Sequence, residues 1–246
     1  MGERLKVSRF ARAGFWLAAL AAVAAVLAGW GSRLGWWPFG LGFRVLSWSV
    51  VSAAAATLLA LIGLWATRRG AKRGRVRAMA SLALALVVAA IPLSYLWTAR
   101  SVPAIHDIST DTENPPAFSA VVPLRKGAPN PVEYGGPTVA ERQRAAYPDV
   151  QPALLNVSPV LAFDRALETA RAMGWRIVDA NPGQGRIEAT DTTFWFGFKD
   201  DVVIRVAPTE MGSRVDVRSL SRAGRSDVGT NAKRIRAFLS RLNRSR

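Results

Sequence analysis

The stretch VLSWSVVSAAAATLLALIGLWA, Val45 to Ala66, runs 22 residues without a charge, and its reading decides how the rest of the chain is read. At about 1.5 Å per residue, a helix of that length matches the roughly 30 Å hydrocarbon core of a bilayer. It has no polar face to turn toward water. Two further uncharged stretches flank it, Ala13 to Trp30 and Ala78 to Thr98, of 18 and 21 residues. Trp16, Trp30, Trp36, Trp37, Trp48, Trp65 and Trp97 lie at or near the ends of the three, where an aromatic belt would place them. The expectation is a membrane domain over residues 1–100, with transmembrane helices at about 13–30, 45–66 and 78–98.

Charge supports this reading. The chain of 246 residues combines a net charge of +16 with a mean hydropathy of +0.14. Residues 1–100 hold 13 basic and 1 acidic residue, and residues 101–246 hold 20 and 16. The excess therefore sits beside apolar runs, which argues against a nucleic-acid partner. Arg4, Lys6, Arg9 and Arg12 precede the first stretch, and Arg68, Arg69, Lys72, Arg73, Arg75 and Arg77 follow the second. Between them, Gly31 to Arg44 carries only Arg33 and Arg44. The positive-inside rule then puts the N-terminus and the 67–77 loop in the cytoplasm, and residues 101–246 on the far side of the membrane, which in a bacterial cell is the periplasm. Cleavage of the first span as a signal peptide, for which its Ala-rich end offers matches, would leave that orientation unchanged. The 67–77 loop could also hold anionic lipid, although its role in topology accounts for it. No charge interrupts a span, which disfavours transport, and Pro92 is expected to kink the third.

The chain has no cysteine and a single histidine, His106. Disulfides, thiolate catalysis, Cys-ligated metals and any two-imidazole site within one chain are excluded, and no metal or cofactor is expected. From residue 101 to 157, proline and glycine break every long periodicity, so this segment reads as an irregular arm with one short helix near Val139–Ala146. Order resumes at Ser158–Pro159, an N-cap followed by proline. A helix to Gly174, strands over Trp175–Ala180, Arg186–Thr193, Asp201–Pro208 and Ser213–Ser221, and a closing helix complete residues 158–243. The last strand is expected to turn Val215 and Val217 inward and Arg214, Asp216 and Arg218 outward. Phe194–Phe198 reads as a bent strand divided between core and surface, or as an apolar ligand wall. The expected fold class is α+β: three N-terminal transmembrane helices, then a two-layer domain of helix, four-stranded antiparallel sheet and helix with a long irregular arm.

Several motifs make the C-terminal part recognisable. His106-Asp107-Ile108-Ser109-Thr110-Asp111 with Pro115-Pro116-Ala117-Phe118, then Tyr147-Pro148-Asp149, resemble the domain-of-unknown-function family 1499. So do Trp195-Phe196-Gly197-Phe198-Lys199-Asp200-Asp201 and the run from Ser221 to Asn231. The resemblance covers nearly all of 101–242 in order. It implies a domain that several members carry behind membrane helices, and a bacterial source; it implies no activity, cofactor or catalytic residue.

Two clusters are candidate sites. His106 with Asp107 or Asp111 offers acid–base chemistry, but without a nucleophile elbow or a second histidine beside it. These polar residues can equally cap turns and tie down the arm. The second cluster is Arg222, Gly224, Arg225, Ser226 and Asn231, a glycine-bearing loop entering a helix, suited to an anion. Its alternative is a helix capped by Asp227 whose arginines pair with Asp107 and Asp111. The C-terminal Arg241, Arg244 and Arg246 read as a solvated helix end or as a contact for head groups. The expected function is that of an inner-membrane protein, embedded in the lipid bilayer, whose periplasmic domain binds an envelope protein or an anionic lipid or other envelope component. The alternatives are a membrane-tethered hydrolase or lyase using His106 and a lipid-handling protein.

Overall fold

In the computed structural model, which describes residues 6–70 and 72–244, each apolar stretch is a helix that continues past its uncharged run. Arg4, Arg246 and the side chain of Arg69 lie outside the described residues. The helices are α1 (Arg9–Arg33), α2 (Phe39–Thr67) and α3 (Arg75–Ser101), all long and apolar enough to cross a membrane. Ser8 caps α1 by accepting from the backbone N–H of Ala11, Pro38 precedes α2, and α3 runs through Pro92. The chain divides into two compact units: Met1–Trp97 with Phe194–Gly197, and Thr98–Thr193 with Phe198–Arg246.

In the first unit, small residues recur at three- and four-residue intervals on two facing helices. Ala11, Gly14, Ala18, Ala21, Ala25 and Ala28 are buried on α1, and Ala53, Ala56, Ala60 and Gly63 on α2. Such stripes let backbones approach closely, which is the main source of helix association in lipid. A Cβ at Gly63 would stand 3.0 Å from the backbone of Ala11. Leu20, Val23, Val26, Leu58, Leu61 and Ile62 remain exposed, as lipid-facing side chains would.

The second unit is built on an antiparallel sheet of six strands, not the four expected. Its strands are β1 (Asp107–Ser109), β2 (Ala153–Leu155), β3 (Arg176–Asn181), β4 (Arg186–Thr192), β5 (Lys199–Thr209) and β6 (Gly212–Ser221), in the order β1-β6-β5-β4-β3, with β2 also on β6. The two additional strands come from the arm. β2 pairs with residues 213–215 and β1 with residues 218–220, so together they cover the free edge of β6. At three residues each, both are too short for an alternating pattern to reveal them. The arm also holds a 3₁₀ turn (Val122–Arg125) and α4 (Gly136–Ala146), three residues longer at its start than expected.

One face of the sheet carries α5 (Pro159–Ala172) and α6 (Thr230–Leu242). Between them lie Ile108, Phe163, Ile187, Val202, Ile204, Val217, Ile235 and Phe238, with Trp175 stacked on Phe238 at 5.4 Å. The opposite face is polar but not solvated. Asp216 and Arg218, expected to point into water, are 1% and 3% exposed, because the arm folds over them. Phe194–Phe198 forms a turn between β4 and β5, not a bent strand.

Candidate functional site

The polar face sorts into clusters in which sheet residues hold the arm. Arg218 on β6 donates from Nε and a terminal nitrogen to the Asp107 carboxylate at 2.9 and 2.8 Å, and to the carbonyls of Pro116 and Val132. Phe118 and Tyr134 place their rings 4.9 and 5.4 Å from the guanidinium carbon. Burial raises the Asp107 carboxyl above its ordinary value despite Arg218, and burial with the nearby Asp107 charge pushes the Tyr134 hydroxyl up to about 12. Asp111 accepts from Arg205 and Arg214, which also hold Asp216. Burial would raise Asp111, but the Asn114 N–H and the two guanidiniums bring it below the usual carboxylate range.

Glu188 on β4 is fully buried and accepts from three successive backbone N–H groups, those of Ser119, Ala120 and Val121, at 2.9 to 3.0 Å. This is the anion-nest arrangement, occupied by the chain's own carboxylate. Arg186 Nε lies 3.0 Å away as an ion pair without hydrogen-bond alignment. Beside it, Asp201 receives Arg125 at 2.6 Å, Arg222 at 2.8 and 2.9 Å, and the Thr190 hydroxyl at 2.8 Å. Burial would raise the Asp201 carboxyl, and the bonds from Arg222, Thr190 and Arg125 overcome it and lower it.

The start of α6 is closed in the same manner. The Asp227 carboxylate accepts from the N–H groups of Gly229 and Asn231, both at 2.8 Å. Its burial nevertheless outweighs these bonds and raises it. Asn231 donates to the carbonyl of His106 and to the Ser221 hydroxyl, and accepts from Ser219 and Arg234. Arg234 also holds Asp200 and Asp191.

Residues 107–242 match the family described as Protein of unknown function (DUF1499). The chain belongs to this family. No curated protein matches it. Several residues of the motifs that carry the DUF1499 resemblance clasp this fold: Asp107, Thr110 and Asp111 anchor the arm, Asp201 gathers two arginines, and Asp227 and Asn231 join the start of α6 to Ile105 and His106 just before β1, Asn231 also reaching β6.

The sequence-derived site residues fare differently from one another. Asp107 and Asp111 do not orient His106, whose ring Nδ1 lies 3.5 Å from the carbonyl of Arg225. Arg222 is a structural pair, but with Asp201, and Arg218, Arg205 and Arg214 take the acids assigned to it. Arg222 also donates to the carbonyl of Leu124, so each of its nitrogens has a partner. Ser226 accepts from the Val228 N–H, and Gly224 adopts φ +98° while its carbonyl accepts from Asn130. Of the four with side chains, Arg225 alone is exposed, and it has no side-chain partner among the described residues. Arg125, Glu188, Arg218 and Arg234 were missed. Alternation marks which sheet face a residue occupies, but nothing local indicates an arm segment folded above it.

Proposed function

We propose that this is a multi-pass bacterial inner-membrane protein whose C-terminal α+β domain is a periplasmic binding module for an anionic envelope component. The N-terminus and the 67–77 loop face the cytoplasm, as their arginines and lysines favour. The observation that carries the binding reading is Arg225: one exposed guanidinium on a loop whose other polar groups are held, next to half-buried His106. A guanidinium fork presented on a loop fixed at both ends suits a phosphate or carboxylate. A hydrolase or lyase reading needs a carboxylate on His106, and the neighbouring acids are turned to arginines instead.

The test is native mass spectrometry of the full chain released from its own membrane in mild detergent, beside Arg225→Ala. Arg222 is left intact because removing it would expose Asp201. An adduct present on the wild type and lost from the variant supports the site and gives the ligand's mass. An adduct common to both, or none on either, rejects an anionic ligand at Arg225 and leaves a protein partner as the reading to pursue.

A further inference from the structure

The first unit contains one segment from far along the chain, the Phe194–Gly197 turn. Within that unit Trp195 packs against Gly29 of α1, where any Cβ would come within 2.1 Å of the indole. The indole N–H donates to the carbonyl of Val26 at 3.3 Å. Phe196, 8% exposed, stacks on Phe43 of α2 at 4.9 Å, in space left by Gly42. Phe194 meets Trp30 edge-on at 5.5 Å, and Arg33 donates to its carbonyl at 3.0 Å. Its ring is 76% exposed.

The level of these contacts identifies what covers that ring. Val26 lies two turns before the end of α1, about 10 Å at 1.5 Å per residue. Val23 and Val26 are themselves more than half exposed on a helix apolar enough to cross a membrane. Trp30, Arg33 and the exposed Trp36 mark the same helix end, and tryptophan with arginine is the composition of a bilayer interface. Residues 192–198 carry no charge. The one polar side-chain group among the turn's three rings, the indole N–H, is already bonded to a helix carbonyl, which meets the demand that lipid places on polar groups.

We infer that the Phe194–Gly197 turn is an interfacial membrane element, with Phe194 inserted among the head groups and upper acyl chains of the leaflet at the Arg33 end of α1. The partner is the lipid surface. Neighbouring exposed side chains at this level include Val26, Leu27, Leu34 and Trp36, a set of aliphatic groups and an indole that suits the lipid interface.

Because the native chain has no cysteine, single-cysteine spin labelling tests this directly. Phe194→Cys, Val23→Cys and Met211→Cys are each made in the full chain and reconstituted in phospholipid nanodiscs. Met211, 82% exposed at the β5–β6 turn, is the aqueous reference, and Val23 the lipid one. The expected result is an oxygen-to-nickel-chelate collision ratio at 194 well above that at 211 and approaching that at 23. A ratio at 194 equal to that at 211 overturns the inference, as does shielding from both reagents, which would mean a protein or second copy covers the ring. Hydroxyl-radical footprinting of the unlabelled wild type is independent of any variant's folding. There the inference requires Phe194 to be less oxidised in nanodiscs than its exposure implies, and equal modification to that of a water-exposed phenylalanine would overturn it.

Discussion

Asp201 is the residue on which the polar face most depends. Its carboxylate is fully buried and answers two guanidiniums, so Asp201→Ala leaves Arg125 and Arg222 without their counter-charge. Breaking a buried pair in this way costs about 3–5 kcal/mol, which a denaturant titration of the full chain in detergent would read. The milder Asp201→Asn reports on pH. In the fold this carboxyl titrates below its ordinary value of 3.8, so its stabilisation is complete well above that value and is lost as pH falls through the lowered one. The stability gap between wild type and Asp201→Asn should therefore shrink with acidification below 3.8, and a gap independent of pH would show that charge is not the source. Asp107, raised by burial, acts in the opposite sense, since its protonation favours the fold.

At the level of elements, α4 and β1 are joined by one side chain. Gln143 on α4, 1% exposed, accepts from the Ser109 N–H at 2.9 Å and donates to the Ser109 carbonyl at 2.6 Å. Gln143→Ala would strand both backbone groups, at about 1–3 kcal/mol each. Increased hydrogen exchange should appear in 107–111 before it reaches β5, and uniform loss of protection would argue against a local clasp. The contrast between these elements explains what the sequence revealed. The three spans are long uncharged runs, and α5, α6 and the β5–β6 hairpin each keep one period, so all are legible. β1, β2 and the contacts of Gln143 are short or solitary, and their meaning lies in partners tens of residues away. The same applies to the candidate site. The sequence offers Arg222 both as an anion contact and as a structural pair, and it does not indicate Asp201 as the acid, because four arginines and four aspartates compete and the pairing follows from how the strands and the arm are brought together.

For the molecule as a whole, the decisive property is its sidedness, which rests on the contrast between a 67–77 loop with six basic residues and a 31–44 loop with two. Each lysine or arginine near a span end biases that end toward the cytoplasm, while the long C-terminal domain contributes little to the choice. The proposed orientation, and with it the proposed periplasmic setting of Arg225, thus depends on a handful of side chains in the first 77 residues. Lys72→Cys and Met211→Cys, each the only thiol in its chain, should react oppositely with a membrane-impermeant maleimide. In intact spheroplasts residue 211 should be labelled and residue 72 protected, with residue 72 becoming reactive only on lysis. The reverse pattern would place the domain in the cytoplasm and end the envelope-ligand reading. Replacing Arg68, Arg69, Lys72 and Arg73 together with glutamine should weaken the bias enough to yield mixed labelling at residue 211. Unmixed labelling after that change would assign the orientation to the N-terminal arginines and Arg75 and Arg77 instead.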